Sequence, residues 1–138
     1  SMSEPKTKDL VEKASGPSEI KNVLKGKKES FSQLLFKLID ASEMTDVEVY
    51  KRANIDRKLF SKMRKNDYVP RKSTVFALIL GLKLSMSDAK ELLARGGYAF
   101  NESDELDLIV EYFIENENYD IYELNETLFA FNKQILGG

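Results

Sequence analysis

Helix-start signals recur along this chain, while its strongest helix breaker is confined to three positions. The prolines lie at 5, 17 and 70, so almost the whole second half escapes a residue that costs a helix interior about 3 kcal/mol. Ser30-Phe31-Ser32-Gln33 and Thr45-Asp46-Val47-Glu48 both fit the capping box, in which a hydroxyl and a Gln or Glu satisfy each other's orphan backbone donors. Asp56, Ser87, Ser103 and Asp120 are further candidate N-caps. No strand alternation and no internal repeat competes with this pattern. An all-α fold is predicted.

Apolar spacing then places the elements. Residues 31–42 carry Phe31, Leu34, Leu35, Leu38 and Ile39 on one stripe, and a short second helix over 45–53 follows. Asn54 sits where the chain must turn, and Asn tolerates the left-handed conformation. A third helix over 56–65 buries Leu59, Phe60 and Met63, points Arg57, Lys58, Lys62 and Lys65 outward, and ends at Tyr68-Val69-Pro70. The fourth, 73–84, is apolar nearly all round and belongs at the centre of a bundle. The fifth, 87–95, carries Ala89, Leu92 and Leu93 and stops at Gly96-Gly97, a natural left-handed cap. Two acidic helices follow, one striped by Leu106, Ile109, Val110, Phe113 and Ile114, the other by Ile121, Leu124, Leu128 and Phe129, with Ile135 as a further candidate. Leu136-Gly137-Gly138 reads as a frayed tail.

The first 29 residues differ. The opening Ser1-Met2 reads as a cloning remnant, and two short amphipathic pieces, around Leu10-Val11 and over Ile20, Val23 and Leu24, are split by Ser15-Gly16-Pro17-Ser18. Helices this short are marginal in water. Three parts are therefore expected: a flexible arm or linker over 1–29 that orders only by docking, a five-helix domain over 30–97, and an acidic two-helix extension over 98–138 packed on it.

The 138 residues include no Cys, His or Trp. That excludes a zinc finger, a thiol nucleophile, a Ser-His-Asp triad and a redox pair; carboxylates, Lys, Tyr and Ser remain, but the ten acids after Ala99 are scattered on the solvent faces of two helices, and no catalytic residue is expected. No cofactor or metal is implied. The absence of Cys agrees with a cytoplasmic setting. The longest apolar stretch, Val75 to Leu82, is far short of the roughly 20 residues that cross a bilayer, so no membrane partner is expected.

The formal net charge of −2 conceals an asymmetry. Residues 51–72 hold nine basic groups against Asp56 and Asp67, a balance of +7, whereas residues 99–138 carry Lys133 alone against ten acids, a balance of −9. Such a distribution fits a polyanionic partner for the middle of the chain and a different task for its end, or simply two differently solvated surfaces. Two short helices joined by a tight turn, the second rich in outward Arg and Lys, make a helix-turn-helix pattern, whose second helix fits the DNA major groove.

The run Thr45-Asp46-Val47-Glu48-Val49-Tyr50-Lys51-Arg52-Ala53-Asn54-Ile55-Asp56-Arg57-Lys58-Leu59-Phe60-Ser61-Lys62-Met63-Arg64-Lys65-Asn66 resembles the lambda-repressor-like, xenobiotic-response-element family of helix-turn-helix domains. Val49, Ile55 and Phe60 take the family's apolar positions, Asn54 its turn Gly, Ser61 its common Ser and Pro70 its post-helix Pro; the resemblance covers residues 31–95. It implies double-stranded DNA as partner, with Arg57, Lys58, Ser61 and Lys62 at base edges and Lys65, Arg71 and Lys72 at phosphates, in a homodimer. Tyr50, Leu59 and Asp56 depart from the pattern: a bulky ring stands where the helices press together, an apolar side chain on the groove side, and a carboxylate where a phosphate would approach.

From Ser30 onward the chain also looks like the C-terminal regions that follow macrodomains or other catalytic domains in some bacterial proteins. The shared runs are Thr45-Asp46-Val47-Glu48-Val49-Tyr50, Ile55-Asp56-Arg57-Lys58-Leu59-Phe60-Ser61-Lys62 and Ile109-Val110-Glu111-Tyr112-Phe113-Ile114-Glu115-Asn116. That likeness implies an accessory, non-catalytic module.

Two functions therefore stand: a DNA-binding module, or a protein-interaction or dimerisation module that keeps the fold without reading DNA. The acidic third holds Tyr98, Phe100, Tyr112, Phe113, Tyr119, Tyr122, Phe129 and Phe131, residues that close a core or form an interface. Its charge should face away from DNA or cover the basic helix, and in the second case removing 99–138 tightens DNA binding. Asn116, Asn118 and Asp120 have the spacing of a calcium loop, but Ile121 and Thr127 stand where its Gly and bidentate Glu belong.

Overall fold

The computed structural model describes residues 16–137 and is all-helical among them. Eight helices follow in order: α1 Pro17–Lys25, α2 Phe31–Ser42, α3 Asp46–Arg52, α4 Arg57–Lys62, α5 Lys72–Gly81, α6 Met86–Arg95, α7 Glu105–Glu115 and α8 Ile121–Ala130. None is long and apolar enough to cross a membrane. The Leu10-Val11 piece of the expected arm lies outside the described residues.

Both capping boxes form: Ser30 and Gln33 open α2, and Thr45 and Glu48 open α3. Accepting the Thr45 N–H and hydroxyl holds the Glu48 carboxyl below its ordinary value. Two expected caps move. Ser85, not Ser87, accepts from the Asp88 N–H at 3.2 Å, and Asp104, not Ser103, accepts from the Leu106 and Asp107 N–H groups at 2.8 and 3.2 Å. Asp56 occupies the N-cap position of α4 without a side-chain cap bond.

Five helices end in the same way, with one residue in the left-handed region and two amides turned back on the last turn. Asn54 (φ 55°), Lys83 (54°), Gly97 (87°), Glu117 (53°) and Asn132 (58°) hold these positions. At the first, Asn54 N–H donates to Lys51 O at 3.0 Å and Ile55 N–H to Tyr50 O at 2.8 Å. Lys83 closes α5 three residues before its expected end at 84, which lets Ser85 start α6 early.

Helix α5 is the axis of the fold. Val75 through Gly81 are all buried, and α3, α6 and α8 pack around them. Contact with α3 is closest at Gly81, where a Cβ would lie 2.9 Å from Ala53 Cβ and 3.0 Å from Val49 O. Gly81→Ala is therefore expected to destabilise by about 1–3 kcal/mol in a denaturant melt, against the sign of helix propensity. An unchanged or raised midpoint would show that the two helices can part.

The acidic helices share this core rather than capping it from outside. Val110, Phe113, Ile114, Ile121, Leu124, Leu128 and Leu136 are buried in one cluster with Leu35, Met63, Phe76 and Leu92. Phe76 and Phe100 stack at 5.6 Å, and Tyr119 donates its hydroxyl to Leu84 O at 2.8 Å. Phe129 and Ile135, expected on the apolar stripe, are instead exposed at 77% and 45%, while Leu136 is fully buried. Leu136 is thus fixed rather than frayed: the Asn125 amide brackets its backbone, donating to its O at 3.0 Å and accepting from its N–H at 2.8 Å, while Gly138 lies outside the described residues.

Candidate nucleic-acid interface

Helices α3 and α4 are joined by residues 53–56, which the left-handed Asn54 turns back on themselves. Val49, Ala53, Ile55, Phe60 and Met63 face the core from this pair. Tyr50 is accommodated by packing its ring on Phe60, 5.4 Å between centroids. Phe60 also meets Phe36 edge-on at 5.6 Å, so three aromatic rings wedge α3, α4 and α2 together.

Arg57, Lys58, Ser61 and Lys62 are all exposed. At 100° per residue they span an arc of about 140° on α4, away from Phe60. α4 is shorter than the expected 56–65, ending at Lys62, so Lys65 belongs to the following loop.

That loop is pinned at three points. Ser32 donates its hydroxyl to Met63 O at 2.6 Å. Tyr68, half-buried, packs on Phe31 at 6.1 Å, and burial pushes its phenol pKa up. Pro70, buried, accepts from the Tyr98 hydroxyl through its carbonyl at 2.8 Å. Exposed Lys65 and Arg71 are carried on this fixed backbone.

The nine cations of residues 51–72 divide into two groups. Arg52 donates through Nε to Gly81 O at 2.9 Å. Arg64 pairs with Asp46 and lies over the Phe36 ring, 4.4 Å from its centroid. Lys72 meets Asp107 at 2.5 Å, a carboxylate buried to 3% exposure. Lys72, expected at a phosphate, thus has its ammonium taken by a buried carboxylate of the acidic extension. Lys51, Arg57, Lys58, Lys62, Lys65 and Arg71 make no ion pair or side-chain hydrogen bond among the described residues.

Between α4, the start of α5 and the end of the chain lies a cleft of about 590 Å³, lined among others by Leu59, Lys62, Tyr68, Arg71, Gln134 and Ile135. Leu59, the apolar residue on the groove side, is half-buried here. Gly137 closes one end, in the left-handed region at φ 73°, where an added Cβ would lie 2.3 Å from Asn54 O. No signal in the sequence announced this contact. Of the extension, the segment that reaches α4 is this last, nearly uncharged stretch; none of the ion pairs joins an acid of α7 or α8 to a cation of α4.

The Asn116-Asn118-Asp120 spacing has a capping role. Asn118 Oδ1 accepts from the Asp120 N–H at 3.2 Å, and Asp120 Oδ1 from the Tyr122 and Glu123 N–H groups at 2.9 and 3.2 Å.

No family model, no curated protein and no solved structure matches the chain.

Proposed function

We propose that the chain is a non-catalytic, double-stranded DNA-binding module of the helix-turn-helix type, a transcriptional regulator or the DNA-binding tail of a larger protein. The observation that carries this reading is that Arg57, Lys58 and Lys62 of α4, and Lys65 and Arg71 of the segment after it, stand exposed without an ion pair, while the neighbouring Arg52, Arg64 and Lys72 are engaged in the fold. Cations left unneutralised on a short helix and a pinned loop are what a phosphate lattice rewards. In this arrangement α4 enters the major groove, Arg57, Lys58, Ser61 and Lys62 meet base edges, and Lys65 and Arg71 grip the flanking phosphates.

The test is binding to a random duplex, followed by fluorescence anisotropy across a salt series. Wild-type affinity is expected to fall steeply with salt, with a log–log slope of roughly −0.9 for each phosphate neutralised. Arg57→Glu with Lys62→Glu should weaken binding at least ~100-fold and flatten that slope. Absence of wild-type binding near ~50 mM salt would discard DNA as the partner.

A second reading, a protein-interaction or dimerisation module, is favoured by a separate observation: Tyr112, Tyr122, Phe129 and Phe131 are each more than 60% exposed on the acidic extension. Aromatic side chains left in solvent beside charge mark a contact surface.

A further inference from the structure

Two amphipathic surfaces of opposite charge lie open on this chain. The first is α1. Ile20, Val23 and Leu24 fall at the i, i+3 and i+4 positions of one face, 43%, 75% and 61% exposed, and α1 buries none of its residues. Lys21 and Lys25 border the stripe on one side and Glu19 on the other, and Lys27 and Lys28 follow it, so cations outnumber the acid two to one on the helix and four to one with the two that follow. Nine residues alone are too few for a stable helix in water, so a face of this kind gains its stability by lying on something.

The second is the outer side of the acidic helices. Leu108 and Tyr112, one turn apart on α7, are 46% and 65% exposed; Tyr122 and Phe129, two turns apart on α8, are 62% and 77% exposed. Glu115 on α7 and Glu126 on α8 lie exposed on these same sides, with Glu111 partly exposed beside them. The span from Tyr122 to Phe129, about 10 Å along the axis, accommodates the α1 stripe, which with Lys25 runs about 7.5 Å.

We propose that α1 of one copy docks on the acidic, aromatic face of α7 and α8 of a second copy, giving an arm-exchanged homodimer. Charge complementarity selects the occupant: a lysine-flanked apolar helix is offered to a segment with a balance of −9. Each copy supplies one arm and one face, so reciprocal docking closes the assembly with two-fold symmetry and leaves neither stripe in water. Reciprocal docking buries two such faces and brings the assembly toward the roughly 1,200 Å² at which stable interfaces begin, whereas a single contact gives a weaker dimer. This inference does not depend on DNA binding.

Sedimentation equilibrium of the full chain tests it. Wild type is expected to sediment as a dimer at concentrations up to about 100 μM, more weakly as salt rises. Val23→Asp and Phe129→Glu should each raise the dimer dissociation constant at least ~100-fold, and because both side chains are exposed their thermal melts should match that of wild type when all are measured at concentrations below the wild-type dissociation constant. Mixing the two variants restores one arm-to-face contact, and a heterodimer is expected where neither variant self-associates. A monomeric wild type would overturn the proposal. So would a dimer indifferent to Val23→Asp, which would mean that the aromatic faces pair with each other, and so would a mixture that stays monomeric.

Discussion

Cut after Gly97, the chain is expected to lose its cooperative thermal transition. Seven side chains of the missing part, Val110, Phe113, Ile114, Ile121, Leu124, Leu128 and Leu136, are exposed by 6% or less in the intact fold. Burying a residue of this size contributes about 1.5–3 kcal/mol, and the whole stability of a domain is roughly 5–15 kcal/mol. The loss therefore reaches the scale of the total. It also strips one side of α5, whose residues from Val75 to Gly81 are all buried and which has no polar face to offer water. Circular dichroism on heating would show a broad, sloping signal for the fragment and a sharp transition for the intact chain. A fragment that melts sharply would establish residues 30–97 as an autonomous domain. By the same argument, deleting 99–138 is expected to dismantle the core before it can uncover α4, so tighter DNA binding on deletion, the result expected if the acidic helices cover the basic one, is replaced by loss of the fold.

The second large effect is expected at Asp107. Its carboxylate accepts from Lys72 Nζ at 2.5 Å and from the Asn101 N–H at 2.7 Å. Asp107→Ala leaves the ammonium of a largely buried side chain and a loop amide without partners, a loss of about 3 kcal/mol in a chemical melt. Lys72→Met should also destabilise, by stranding the carboxylate. The double variant Lys72→Met, Asp107→Leu is expected to be more stable than either single one, since an apolar pair of similar volume has no charge to desolvate. Additive losses would show that the two groups do not interact. On DNA, Lys72→Met should leave the salt slope untouched while Arg71→Ala reduces its magnitude by about one. A flattened slope for Lys72→Met would return that residue to the phosphates.

Features set by neighbouring residues were the ones legible in the sequence. The capping boxes at Ser30 and Thr45 need only a hydroxyl and a partner three residues on, and both are formed. Asn54 and Gly97 announced their left-handed turns by residue type; Lys83 and Glu117 adopt the same turn without either signal. There the amides of Leu84 and Asn118, returning to Ile79 O and Phe113 O at 3.1 and 2.8 Å, hold the conformation that residue type alone disfavours. At the candidate site, the outward face of Arg57, Lys58, Ser61 and Lys62 followed from helical spacing against buried Phe60. The fate of Lys72 did not, because its partner lies 35 residues further on. Nor did the burial of Leu136, which depends on an amide of α8 and on space beside the α3–α4 turn.

The loop behind α4 has a thermodynamic consequence. Its backbone is fastened by Ser32 at Met63, by Phe31 at Tyr68 and by Tyr98 at Pro70. Ordering a free backbone costs about 1–2 kcal/mol per residue, and here folding has already met that cost. A ligand that engages Lys65 and Arg71 has only their side-chain rotamers left to restrict, so the entropy of association at this edge is set by two side chains and by the water and counterions they release.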